Sequence, residues 1–364
     1  SRIKDRDVSF IVVPTNSLPS GDFDSSYVES AVKNISLNLN KNKYHVFDVV
    51  STVTPGTLEN KIDPLIKYIT KRKEEEYGLC YNPEFIALGS VIYNFLNPDV
   101  VLIGESDKKS GDMLEEIYKK ACNNNPKIKR MSIINAEIAK ISLNSYVTMK
   151  INFANMLSEI CENVPGGNVD SITDMLGDDT RIGSKYLKGG LAYGGPCFPR
   201  DNNAFDSYAK SIGVDAKVVR ATHEMNEYNA RRIAKTIENK LGGLENKVSA
   251  ILGIPYKINT PVIEESASVK LIEELVSKGA KVKAHNTFNS KFPVQAEQYN
   301  SIEEVLEGSD LSVIALDLNE YKDIKPETII KKMKNPIVFD CWRILPHLNN
   351  NDKIEYLSIG KSNK

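Results

Sequence analysis

Apolar positions along this chain change their spacing twice. Near the start, "DVSFIVVP" (7–14) is a short β-rich apolar run after an aspartate, which predicts a buried parallel strand. "YHVFDVVSTVTPGT" predicts a second strand ending in a loop, "EEYGLCYNPEF" a third and "PDVVLIG" a fourth. Helical spacing lies between them in "SYVESAVKNISLNL" and "GDMLEEIYKKAC". Strands alternating with helices predict a parallel sheet. From about Ile134 to Glu162 the pattern is helical without interruption, and it stays mostly helical to Asn229. Alternation resumes at Lys247 with the strands "KVSAILGIPY", "KVKAHN", "LSVIAL" and "PIVFDC" and the helices "SASVKLIEELVSKGA" and "SIEEVLEGSD".

The fold class expected is therefore α/β. Two Rossmann-like parallel-sheet domains, 1–130 and 244–364, flank a helical middle domain, 131–243, built on a long central helix. "NKLGGLENK" marks the second boundary. A nucleotide-binding βαβ unit carries G-x-G-x-x-G after its first strand. No such motif follows the first strand here, so the first domain is expected to be incomplete at its N-terminus.

With 364 residues, 41% hydrophobic and 26% charged, the chain has an ordinary globular composition. A formal net charge of -1 supplies no general attraction for nucleic acid or anionic membrane. No run reaches the ~20 apolar residues of a spanning helix, and the opening lacks the apolar core of a signal peptide. The cytoplasm is the expected compartment. The five cysteines and four histidines are scattered, which argues against a disulfide framework or a metal site.

Candidate chemistry concentrates at "GGPCFPRD" (194–201). Gly194 and Gly195 allow close backbone approach to a ligand. Pro196 and Pro199 stiffen the turn, and "PRDNNAFDSYAKSIG" reads as a helix start. A thiol at a helix N-terminus has a lowered pKa. Asp201 lies one helical turn beyond Cys197. Cys197 reads as a nucleophile, a metal ligand or a buried thiol beside a turn. A nucleophilic thiol also needs an oxyanion stabiliser. Lys140 and Asn144 in "AKISLN", four apart and on one helix face, supply an ammonium and an amide; the alternative is a solvated helix edge.

Taken together these segments resemble the UDP-glucose/GDP-mannose dehydrogenase family. The resemblance rests on "VVPTNSLPSGDFDSSYV", "STVTPGT", "NPEF", "NPDVVLIG", "NAEIAKISLNSYVTMKINFAN", "DDTRIGSKYLKGGLAYGGPCFPRD", "ILGIPYKINT" and "EESASVKLIEEL", in family order across essentially the whole chain. It implies an NAD-dependent oxidation of a nucleotide-sugar C6 alcohol to the uronate, through a cysteine thiohemiacetal and thioester. Cys197 matches the nucleophile, and Lys140 and Asn144 the oxyanion pair. Asp201, Glu84 and Thr15 match groups that handle the hydrolytic water. Thr15, Thr52 and Glu84 are the implied cofactor-facing residues. Tyr186, Leu187, Tyr193, Gly194, Lys257 and Arg343 match substrate contacts, and Arg181 an arginine lent by a neighbouring subunit. The long helix implies at least a homodimer.

UDP-glucose is the first choice of substrate, with GDP-mannose and UDP-N-acetylhexosamines as alternatives. The chain departs from the family at Leu88, where a second acid is common. It departs again at Glu264, where many members place an arginine, and at Cys341 and Trp342, where a glycine and a basic residue are usual. A nucleotide-sugar-binding protein without turnover and a different thiol enzyme are the competing classes.

Overall fold

The computed structural model describes residues 2–40, 42–288 and 291–362. Along the chain run β1 (Val8–Ile11), α1 (Ser26–Leu37), β2 (Val46–Val49), α2 (Asp63–Thr70), β3 (Gly78–Tyr81), α3 (Val91–Leu96), β4 (Val100–Glu105), α4 (Lys108–Ala121) and β5 (Lys127–Met131). Four helices follow: α5 (Ile133–Asn163), α6 (Val169–Asp178), α7 (Phe198–Ser211) and α8 (Lys217–Leu241). Then come β6 (Val248–Leu252), α9 (Ala267–Ser277), β7 (Lys281–His285), β8 (Glu297–Tyr299), α10 (Ile302–Leu306), β9 (Leu311–Ile314), α11 (Asn319–Lys322), α12 (Pro326–Lys332), β10 (Ile337–Asp340) and β11 (Glu355–Ser358).

These elements form two compact units, residues 1–145 with 200–216, and residues 146–199 with 217–364. Helices α5 and α7 each pass from one unit to the other. The first unit holds a sheet ordered β1-β2-β3-β4-β5, parallel except where β3 meets β4. Strands β2 and β3 are buried at every position, as strands covered on both faces must be. The two-residue period sends Phe47 and Val49 to a core with Leu58, Ile62, Ile66 and Leu79. It sends Val46 to the opposite core, with Cys80, Ile103, Leu114 and Tyr118. Asp48 shares that face with Val46 and is fully buried.

The second unit has six parallel strands ordered β11-β10-β9-β6-β7-β8. Ile233 and Ile237 of α8 and Leu271 and Leu275 of α9 cover one face. Tyr321, Ile329 and Leu348 pack on the other. Strand order reverses between β6 and β9, and in open α/β sheets ligands bind beyond the carboxyl ends of the strands at such a point.

Both sheets and the long helix follow the apolar spacing. Strands β5, β8 and β11 and helix α12 were not expected from it. β5 reads Lys-Ile-Lys-Arg-Met, an edge strand with charges on its open face.

After β2 the chain turns through "STVTPGT". The buried Glu137 of α5 accepts the Gly56 amide at 2.6 Å and the Leu58 amide at 3.0 Å, anchoring this turn. Burial raises the Glu137 carboxyl to about 7, against the opposing pull of the two amides. A carboxyl with a raised folded pKa binds more protons folded than unfolded, so stability falls as pH rises from its unfolded value, ~4.3, to about 7. We expect Glu137→Gln to flatten the urea-midpoint profile across that window by up to about 3 kcal/mol; an unchanged slope would contradict the assignment.

Candidate active site

In the first unit the structure brings Lys140, Asn144 and Asp201 together. One turn of α5 separates Lys140 from Asn144, so both side chains leave the same face. Asn144 donates through Nδ2 to Asp201 Oδ2 at 2.6 Å. Lys140 donates to the Glu84 carbonyl oxygen at 2.8 Å and lies over the Phe85 ring. All three side chains are buried. Burial raises the Asp201 carboxyl, opposed by the Lys140 charge, the Asn144 hydrogen bond and the Arg200 charge. Arg200 also donates to the Thr15 carbonyl oxygen at 3.1 Å, tying the loop after β1 to the start of α7.

Glu84 follows β3. Its carboxyl is raised by burial and lowered by a hydrogen bond from Tyr118 and by the Lys140 charge. The Tyr118 hydroxyl lies 3.3 Å from Glu84 Oε1 and 2.5 Å from Asn82 Oδ1. On β2, Asp48 is pushed well above the usual carboxylate range by burial and by Glu84.

The second unit presents Cys197. It is exposed, sits in the turn leading into α7, and directly precedes Phe198 at the helix start. Cys80, Cys161 and Cys341 are buried and Cys122 is half-buried. The glycine-rich segment before Cys197 is clamped from several sides. Asn226 of α8 accepts the Tyr193 amide and donates to the Tyr193 carbonyl, each at 3.0 Å. Asn155 of α5 accepts the Gly190 amide at 2.9 Å. Gly194 runs so close to the Glu265 carbonyl that a Cβ would collide with it. Gly195 adopts φ +86° over the Tyr256 ring and donates to the Glu264 carbonyl at 3.0 Å.

The expected substrate residues fall into two groups. Lys257 follows β6 at the order reversal, is half-buried, and has no hydrogen bond or ion pair among the described residues; burial lowers its pKa. Tyr186 is exposed, while Leu187 and Tyr193 are buried. Arg343 is buried and turned into the fold. It pairs with Asp170 at 2.8 Å and donates to the carbonyls of Gly189 and Ile359 at 2.9 Å. Arg181 is exposed and holds Asp179. The Glu264 side chain is exposed. Asn155, Asn226, Tyr118 and Glu137 were missed in the sequence. Their one signal is a polar residue recurring at helical spacing among apolar ones.

Thr15, Thr52 and Glu84 follow the carboxyl ends of three neighbouring parallel strands, β1, β2 and β3. That is where an open α/β sheet receives a dinucleotide. Among the described residues no group of His, Cys, Asp and Glu could hold a metal ion, and no helix is long and apolar enough to cross a membrane.

Domain profiles of the UDP-glucose/GDP-mannose dehydrogenase family match in order: the NAD binding domain at 1–122, the central domain at 134–228 and the UDP binding domain at 250–347. With the fold and these residues, they define the class as an NAD-dependent oxidoreductase of nucleotide sugars. The chain is 32% identical to a UDP-glucose 6-dehydrogenase of Rickettsia bellii over 350 residues, 94% of this chain and 79% of the relative. It is 30% identical to UDP-glucose 6-dehydrogenase YwqF of Bacillus subtilis over 98% of this chain and 80% of that one. The solved structure of a UDP-glucose dehydrogenase from Pyrobaculum islandicum superposes with a TM-score of 0.88 at 26% identity, covering 99% of this chain and 81% of the other. The chain belongs to the UDP-glucose/GDP-mannose dehydrogenase family.

Asn226→Ala removes the side-chain partner of the Tyr193 N–H and of the Tyr193 carbonyl. We expect a loss of about 2–4 kcal/mol by urea denaturation, the cost of two buried backbone groups left unpaired. Asn226→Leu keeps the volume without either polar group and should lose about as much; recovery to wild-type stability would show that packing, not the paired amide, holds the segment.

Proposed function

We propose that this enzyme oxidises UDP-glucose to UDP-glucuronate with four electrons removed, through covalent intermediates on Cys197. The observation that carries the reading is Cys197 itself, the exposed cysteine, standing directly before the first residue of a 14-residue helix. A helix N-terminus is a setting in which reactive thiols occur.

Bound NAD would accept the hydride in each of the two oxidations. Cys197 Sγ adds to the aldehyde carbon, forming a C–S bond and a hemithioacetal oxyanion. Lys140 and Asn144 place an ammonium and an amide to stabilise such an oxyanion. The second oxidation leaves a thioester. Water then adds to the thioester carbon, one of its protons passes to Glu84, and the C–S bond breaks to release the Cys197 thiolate and the uronate. Asp201, with Thr15, helps orient that water. Lys257, Tyr186, Tyr193 and Gly194 contact the substrate, and Leu187 shapes the loop. Arg343 acts on the substrate through the Gly189 carbonyl it holds.

The UDP-glucose choice is supported by relatives named UDP-glucose 6-dehydrogenase and by the "YGGPCFPRD" segment. We also read the chain as a dimer or higher homo-oligomer. Tyr146, Phe153, Met156 and Ile160 of α5 are exposed apolar residues within about 80° of arc at 100° per residue. Such a stripe suits a seam with a second copy, and Arg181 is then available to a neighbouring subunit.

Purified enzyme should yield two NADH per UDP-glucose consumed, and Cys197→Ala should abolish this with the fold retained. Faster turnover of GDP-mannose or a UDP-N-acetylhexosamine would reassign the substrate. One NADH per sugar, or full activity in the variant, would remove the thioester route. Paired Phe153→Glu and Ile160→Glu should shift the particle to a monomer by light scattering; an unchanged mass would place any seam elsewhere.

A further inference from the structure

We propose that Tyr118 is a positioning residue for Glu84, its hydroxyl holding the carboxyl and turning its one O–H between Asn82 and Glu84 as Glu84 changes charge. The inference rests on the reading of Glu84 as the base that accepts a proton during thioester hydrolysis.

The geometry begins at Asn82. Its Nδ2 donates to the Leu102 carbonyl at 2.7 Å, which fixes the amide and turns Oδ1 toward Tyr118. The Tyr118 hydroxyl then faces two acceptors, Asn82 Oδ1 at 2.5 Å and Glu84 Oε1 at 3.3 Å, with a single proton. When Glu84 is ionised, Tyr118 can donate to it. When Glu84 is protonated, its own O–H donates to the Tyr118 oxygen, and the Tyr118 proton turns to Asn82. Both charge states of Glu84 are therefore hydrogen-bonded without any heavy atom moving.

Packing keeps the hydroxyl in place. Tyr118 is 3% exposed and sits in the core with Val46, Ile103 and Leu114. The cavity bordered by Asn82, Glu84, Asn94 and Tyr118 measures about 10 Å³, room for about one water, so bulk solvent does not stand in for the hydroxyl. The charged and titratable groups facing Glu84 are Tyr118 and Cys122 from α4 and its end, Lys140 from α5 and Asp48 from β2. Of these, Tyr118 and Lys140 favour the carboxylate, and Lys140 is bonded to the Glu84 backbone carbonyl.

The test is the pH profile of kcat, with KM and thermal stability measured beside it. Loss of the donor in Tyr118→Phe destabilises the carboxylate. The acid limb should move up by about half to one pH unit, a three- to tenfold loss of kcat below the limb, with KM unchanged. Asn82→Ala removes the competing acceptor and should move the limb down, the opposite sign, which also carries the test should Tyr118→Phe fail to fold. A limb within about 0.2 units of wild type, or one moved in the wrong direction, overturns the proposal. Glu84→Gln separates the two levels. It should stall after the second oxidation and accumulate acyl-enzyme by intact mass. Normal turnover of Glu84→Gln would instead remove the role of Glu84 as base.

Discussion

A carboxylate shut away from water organises the first unit. Asp201 is 1% exposed, and an unpaired charge at such a depth costs several kcal/mol. It is tolerated because Asn144 donates to it at 2.6 Å and Lys140 and Arg200 supply opposing charge. Those partners come from α5 and from the first turn of α7, so neither helix can rotate without exposing the debt of an unpaired acid. Ile141 and Ala204, from the same two helices, pack with Phe23 beside the polar group and close it from solvent. Lys140 in turn is bonded to the Glu84 carbonyl, which fixes the loop after β3.

The second unit solves a different problem, a backbone that must run close to other groups without regular structure. Its glycine-rich segment has no strand or helix to satisfy its amides, and side-chain amides take that role. Asn226 pairs with both polar groups of Tyr193, as a neighbouring strand would. Around the segment, residues with side chains adopt left-handed conformations: Tyr186 at φ 66°, Glu265 at φ 52° and Arg343 at φ 59°. Such conformations cost about 1–3 kcal/mol each and persist only where surroundings over-determine them. Glu265 and Arg343 are held by Lys270 and Asp170. The path into Cys197 is thereby set before any ligand arrives, which lowers the ordering cost of binding.

What the sequence made legible follows from this. Phe47, Leu79, Ile251 and Val313 sit in runs whose apolar character alone marks a doubly covered strand, and these strands were read. Lys140 and Asn144 were read because four-residue spacing on a helix is a local property. The Asn144–Asp201 bond joins residues 57 apart, and no local pattern encodes it. Strand β5 was hidden because its charges sit on an edge, where periodicity carries little apolar signal. Arg343 was read toward substrate from its motif. Its bonds to Asp170 and Gly189 depend on where α6 and the glycine-rich segment pass, which the motif does not contain.

Four carboxyls of the first unit, Asp48, Glu84, Glu137 and Asp201, are raised by the same cause, burial, yet they serve different ends because their partners differ. Glu137 has two backbone amides to accept and acts as an anchor. Asp48 has no hydrogen-bond partner for either oxygen among the described residues, and burial and the nearby Glu84 both disfavour its charge. Two neighbouring buried acids do not both ionise readily, and the one with better support for charge takes it. Glu84 has that support, from the Tyr118 hydroxyl and the Lys140 ammonium. The difference between these two acids follows from their partners: Glu84 has a hydroxyl donor and an ammonium beside it, and Asp48 has neither among the described residues.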